Sequence, residues 1–258
     1  MLRMLCLVLL ATLTTNECAA APISVCIQPG PPPWAYWQDS ASNATKRTLT
    51  GISVETVRAA FQQIGQSVDI RGDLPWARCM EMVEKGLIDF AMDAFFDSER
   101  AKRFDYSIHY RSATPQIFFR RADPVVIGHV SELKRYRGCG LHGWSYEHYG
   151  LSKNDLDIGF VFENMVKKLK AKRCDYFVDE IETVYNHKFI GDDYLADPEL
   201  GHGPVPGAQV PTSHLMTAKG SPASRLLPAL DKALAGLIKS GQAEAIWAQH
   251  TKELPFKP

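Results

Sequence analysis

Between residues 23 and 92, short apolar runs alternate with amphipathic stretches, and the same alternation returns between residues 139 and 178. In the first round, residues 23–27, 68–70 and 89–92 read as strands. Residues 53–64 place Val54, Val57, Phe61 and Ile64 on one helical face, and residues 76–85 do so with Trp76, Met80 and Val83. Residues 29–33 form a proline turn, 35–38 begin a short return strand, and 39–48 read as a polar loop. In the second round, residues 139–141, 158–162 and 174–178 read as strands, with helices at 144–149 and 163–171. A β-α-β-α-β order met twice predicts two parallel sheets with right-handed crossovers. Residues 114–120 are β-branched and aromatic and suit a crossover strand. Residues 210–218 suit the return, and 223–250 read as two helices whose leucine stripe is core packing. The expected fold is an α/β clamp of two lobes, each an open parallel-core sheet with flanking helices, joined by two crossover strands. The expected division is 21–112 and 210–258 for one lobe and 113–209 for the other.

The first 20 residues read as a cleaved leader. Arg3 supplies a positive start, residues 5–13 an apolar run, and Cys18-Ala19-Ala20 small residues before the cleavage point. The apolar run is far below the ~20 residues a spanning helix needs. Removing the leader leaves 28 basic against 28 acidic side chains. That balance argues against nucleic acid or an anionic membrane as partner, since both favour a basic surplus. Cys26, Cys79, Cys139 and Cys174 remain, an even number that suggests two disulfides in an oxidising compartment. Three pairings are possible on the count alone. No C-x-x-C or H-x-x-x-H spacing supports a metal site, and no cofactor is expected.

The segment Gly86 to Tyr110 carries a resemblance. Ser98-Glu99-Arg100 and Phe104-Asp105-Tyr106-Ser107 resemble the ligand-arginine turn and following strand of the family 3 bacterial solute-binding proteins, the periplasmic receptors for polar amino acids. Gly51 to Glu55, Lys85 to Asp89, Lys172 to Asp175 and Ala218 to Pro222 resemble further motifs of that family, in its order. Counted from Asp89, the arginine loop is one residue shorter than usual. The resemblance implies a type II periplasmic-binding-protein clamp, a monomer, that delivers a small zwitterion to an ABC-type permease. It implies that Arg100 grips a carboxylate, a task suited to a planar guanidinium. With strand order 2-1-3, the helix bearing Cys79 crosses the strand bearing Cys26, and Cys139 and Cys174 fall on neighbouring strands. Cys26–Cys79 and Cys139–Cys174 are therefore the expected pairs, one per lobe.

In open α/β sheets ligands sit at the carboxyl ends of strands. After the first strand come Trp34 and Tyr36, which suit an aromatic wall. After the third come Asp93 and Arg100. In the second lobe, Gly143-Trp144-Ser145-Tyr146 resembles the family's helix-opening turn, so Ser145 and adjacent N–H groups are expected to meet a carboxylate. Asp179 and Glu180 follow the last strand. One acid is expected to hold an amine, and the offset favours Glu180. Arg78, at the start of a helix, is a further candidate. Gly138-Cys139-Gly140-Leu141-His142-Gly143 matches G-x-G-x-x-G, but its first two glycines lie within a strand instead of after one, so it reads as coincidence. Catalytic motifs are missing. An enzyme on the same clamp, or a sensor or accessory subunit without small-molecule binding, are the alternatives, because fold does not settle function.

Overall fold

The computed structural model describes residues 21–40 and 43–258, so the expected leader at 1–20 lies outside the described residues. β1 (Ile23–Cys26) runs through the proline turn into a hairpin of β2 (Tyr36–Ser40) and β3 (Asn43–Thr50). Then come α1 (Ile52–Gln63), β4 (Val68–Arg71), α2 (Trp76–Glu84) and β5 (Phe90–Phe95). β1 lies between β4 and β5 and is parallel to both, the 2-1-3 order expected. Two short strands, β6 (Phe104–Tyr106) and β7 (Arg111–Ser112), pair with a strand that returns late in the chain, β13 (Thr212–Ala218). β13 also runs antiparallel to β5 and completes the first sheet.

The second sheet comprises β8 (Pro115–Arg120), β9 (Gly138–Leu141), β10 (Leu156–Gly159), β11 (Tyr176–Glu180) and β12 (Leu200–Pro204), in the order β10-β9-β11-β8-β12. Its core is parallel, with β9 between β10 and β11. β8 is antiparallel to β11 and β12. α3 (Phe162–Lys170) joins β10 to β11, and α4 (Ile181–Asn186) leaves the end of β11. The chain thus passes between the sheets twice, from β7 to β8 and from β12 to β13. α5 (Leu227–Lys239) and α6 (Gln242–His250) pack on α1 in the first lobe.

Each lobe has its own core. Val54, Val57 and Phe61 of α1 meet Phe90 of β5 and Leu230, Leu234 and Leu237 of α5. In the second lobe Phe118 stacks on Phe177 at 4.8 Å, among Met165, Val166 and Leu169 of α3. Burial of each such side chain is worth roughly 1.5–3 kcal/mol. Cys26 bonds to Cys79 and Cys139 to Cys174, with Cα atoms 5.8 Å apart in both pairs. Each staple lies within one sheet-and-helix unit.

Several expectations need correction. The polar stretch at 39–48 is mostly β-hairpin: Trp37 pairs with Leu49, and Asp39 with Arg47, an ion pair at 3.1 Å. Paired cross-strand side chains outweigh low strand propensity there. The helix expected at 144–149 is only a single 3-10 turn, Glu147–Tyr149. The Tyr146 hydroxyl accepts the Leu141 N–H at 2.6 Å, and Gly150 ends the turn in a left-handed conformation. The strand expected at 158–162 stops at Gly159, which leaves Phe160 and Val161 outside the sheet. The glycines of the G-x-G match have a packing reason. A Cβ on Gly138 would fall 2.4 Å from Leu156 and 2.8 Å from Tyr176, and one on Gly140 would fall 2.9 Å from Leu156.

Candidate functional site

A cleft of about 510 Å³ lies between the lobes, at the carboxyl ends of β1, β5, β9 and β11. Its volume is in the usual range for small-molecule sites, about 300–1,000 Å³.

The first-lobe wall begins with Trp34. The turn that carries it is pinned by the start of α1: the N–H groups of Ile52 and Ser53 donate to the carbonyls of Pro33 and Trp34 at 2.8 and 3.0 Å. Gly51 sits at φ 126°, where a Cβ would lie 2.3 Å from the Trp34 carbonyl oxygen, so no other residue fits. Behind Trp34 the guanidinium carbon of Arg111 lies 4.2 Å from the ring centroid, and Trp247 packs edge-on at 5.1 Å. Arg111 also approaches Asp93 at 3.6 Å. The Tyr110 hydroxyl donates to Asp93 Oδ1 and accepts its N–H, both at 2.8 Å. Burial holds the Tyr110 phenol well above its ordinary pKa, so it acts as a donor here.

Arg100 opens a 3-10 turn, and its N–H donates to Asp97 Oδ1 at 2.9 Å. The side chain is buried, and burial lowers its pKa. The one hydrogen bond its guanidinium makes among the described residues runs from Nη2 to the carbonyl of Gly143 in the other lobe, at 2.6 Å. Its other donors are uncommitted. Partial burial opposes charge on Asp97, but the Ser145 hydroxyl and the Arg100 N–H together hold its pKa below the ordinary value.

The second-lobe wall includes Leu141, Trp144, Ser145, Phe162 and the first face of α4, with Glu180, Thr183 and Asn186 spaced three apart. Glu180 is buried, with Oε1 3.4 Å from Nε2 of His148. Burial raises the Glu180 pKa, but the adjacent His148 imidazole outweighs it and leaves the pKa below the ordinary value. The neighbouring Asp179 is pushed well above its ordinary value, first by burial and then by the charge of Glu180.

The cleft therefore brings together Trp34, Asp93, Arg100, Ser145 and Glu180. It does not include the other three candidates. The Tyr36 hydroxyl lies 3.1 Å from Nδ1 of His250, on the side facing α6. Arg78 is half-exposed and pairs with Glu81 at 2.6 Å on the surface of α2, although Trp76 at the start of the same helix lines the cleft. Asp179 Oδ1 accepts the Glu180 N–H at 2.8 Å and lies behind the wall. Ser145, expected at a helix start, instead donates its hydroxyl to Asp97 Oδ2 at 2.7 Å across the cleft.

Sequence reasoning missed Arg111 and His148, which sit one layer behind the wall. It also missed Phe160, which lies at the rim and is 83% exposed. No local motif marks the first two. A buried cation beside a cleft acid becomes visible only once β7 is placed against β13.

Comparison with known proteins places the architecture. The bacterial extracellular solute-binding proteins, family 3, match residues 23–253. No curated protein sequence matches. Among solved structures, the chain is similar to ArtJ, the arginine-, lysine-, histidine-binding protein of Geobacillus stearothermophilus. The two are 17% identical with a TM-score of 0.69, over 91% of this chain and 97% of that one. It is similar to AbpA, an amino acid ABC transporter substrate-binding protein of Streptococcus pneumoniae bound to L-arginine, at 20% identity and TM-score 0.66, over 88% and 93%. A histidine kinase sensor domain with similarity to periplasmic binding proteins is also similar, at 22% identity and TM-score 0.70, over 92% and 98%. At such identities these structures speak for the fold, and the sequence match over nearly the whole described chain speaks for descent: the protein belongs to family 3 of the bacterial extracellular solute-binding proteins.

Proposed function

We propose that this chain is an exported, monomeric receptor that closes its two lobes on an amino acid and delivers it to an ABC-type permease of the inner membrane. One observation carries the reading. A buried guanidinium from one lobe, Arg100, and a buried carboxylate from the other, Glu180, line the same cleft. That pair complements the two charges of a zwitterion. Arg100 binds the α-carboxylate through its uncommitted donors, Glu180 the α-amine, and Trp34 covers the side chain. Asp93 and Ser145 shape the same cleft, while Tyr36, Arg78 and Asp179 have no direct part.

The ligands printed for the structural neighbours, arginine, lysine and histidine among them, support an amino acid as cargo. Both the family and its transporter neighbours are solute-binding proteins, which favours capture over catalysis. Export through the leader at 1–20 fits the two disulfides. Among the described residues no helix is long and apolar enough to cross a membrane.

The test is a thermal-shift panel of amino acids, polyamines and small carboxylates on protein stripped by unfolding and refolding. A ligand at 100-fold over its Kd adds ~2.7 kcal/mol to stability. A shift confined to amino acids and lost in Arg100→Ala supports the reading. A flat panel from a sample that melts cooperatively would sink it.

A further inference from the structure

We propose that the cleft selects an α-amino acid with a large uncharged side chain, apolar or aromatic, and discriminates against cationic ones. The inference rests on the receptor reading above and names the substrate class of that site.

The argument begins with the carboxylates. A cationic amino acid needs one acid for its α-amine and a second for its side chain. The cleft-lining acids among the described residues are Glu180 and Asp93. Glu180 is the acid opposite Arg100's lobe and is required for the amine. Asp93 Oδ1 is already engaged by the Tyr110 hydroxyl at 2.8 Å and by Arg111 at 3.6 Å. A ligand cation drawn to Asp93 would stand beside the Arg111 guanidinium, itself buried with little water to screen it.

Trp34 gives the same answer independently. A tryptophan face attracts a cation through its quadrupole. Here that attraction is already used by Arg111, centred 4.2 Å from the ring. A second cation on the exposed side would meet the repulsion of the first through the ring. An apolar or aromatic group meets no such opposition and keeps the full benefit of burial.

The rest of the wall agrees. Trp76, Phe95, Met92, Leu141, Trp144 and Phe162 line the cleft. Trp34 Nε1, His187 Nδ1 and both amide atoms of Asn186, polar atoms of wall residues without a partner among the described residues, are closed off from solvent. Arg100 and Glu180 match the two charges of a zwitterionic backbone, and the one further cleft acid among the described residues, Asp93, has its own cation in Arg111.

Calorimetric titration of the stripped mature protein with L-phenylalanine, L-leucine, L-tryptophan, L-glutamine, L-lysine and L-arginine decides the matter. The tightest ligand is expected among the first three, at least tenfold tighter than L-arginine. Tightest binding of L-arginine, L-lysine or L-glutamine overturns the side-chain assignment and leaves the receptor reading standing. Absence of binding by all six, from a cooperatively folded sample, overturns both. In Arg111→Leu, Asp93 loses its cation, and the ratio of L-arginine to L-phenylalanine affinity should rise at least tenfold. An unchanged ratio in a folded variant overturns the role given to Arg111. The wild-type titration decides the substrate class even where that variant does not fold.

Discussion

Ser145 Oγ donates a 2.7 Å hydrogen bond to Asp97 Oδ2, and so joins a turn of the second lobe to the arginine loop of the first. The other oxygen of the same carboxylate holds the Arg100 N–H. One acid therefore both shapes the loop that presents Arg100 and ties it to the facing lobe. The Arg100–Gly143 hydrogen bond lies beside it. These contacts form only when the lobes approach, so they stabilise closure more than they stabilise either lobe. Ser145→Ala is expected to lose ~0.5–1.5 kcal/mol from the closed state, about 2- to 10-fold in ligand affinity. The melting temperature without ligand should hardly change. Calorimetry and differential scanning on the same samples separate the two effects, and an equal loss in both would place the bond within the fold instead.

Arg100→Ala should be far more severe for binding. It removes the buried cation of the cleft and leaves a ligand carboxylate desolvated without a partner. Truncating one side of a buried charge pair costs about 2–5 kcal/mol, at least ~30-fold in Kd. Arg100→Lys should recover only part, because an ammonium lacks the planar fork that matches a carboxylate. Full affinity in the lysine variant would show that bidentate geometry is not what the site uses.

Asp179 gives a pH prediction whose sign can be fixed. Its folded pKa is raised above the ordinary 3.8 by burial and by Glu180. The native state therefore holds a proton that the unfolded chain releases. As pH rises from ~4 towards the folded pKa, this group lowers stability. Asp179→Asn removes that loss and still accepts the Glu180 N–H. At neutral pH it should stabilise on the order of 1 kcal/mol, roughly 2–4 °C in Tm for a chain of this size. The advantage over wild type should shrink towards pH 3, where both side chains are neutral. Denaturant melts between pH 3 and pH 8 check this, and a gain that grows towards acid would contradict it.

What was legible in the sequence follows from which interactions are local. The helices of the first lobe and the core strands of both sheets announce themselves through apolar periodicity, because one face of each is buried. β12 was illegible: Leu-Gly-His-Gly-Pro lacks strand propensity and is a strand only because it pairs with β8 at a sheet edge. Among site residues, Arg100 and Trp34 lie on turns whose local pattern marks them. Tyr36 was misplaced because the hairpin of β2 with β3 turns it towards His250, a residue 214 positions away. Arg111 and His148 support the wall from behind. Their roles depend on contacts that no spacing encodes.

The disulfides support the last prediction. Cys26–Cys79 closes 53 residues and Cys139–Cys174 closes 35, each within one lobe. In the chain-entropy account such loops are worth ~4 kcal/mol each, with typical measured values of 2–4 kcal/mol. Neither crosses the cleft, so neither restrains closure. Replacing either pair by serines should lower Tm by several degrees and leave ligand affinity within about twofold at temperatures where the variant stays folded. A peptide map of the oxidised protein should recover the two pairs and no bridge between lobes. Because the second staple ties β9 to the chain entering β11, its loss should loosen Gly143 and Glu180 together. Hydrogen exchange should then rise in the second lobe before the first. Equal rises in both lobes would mean that the lobes unfold as one unit.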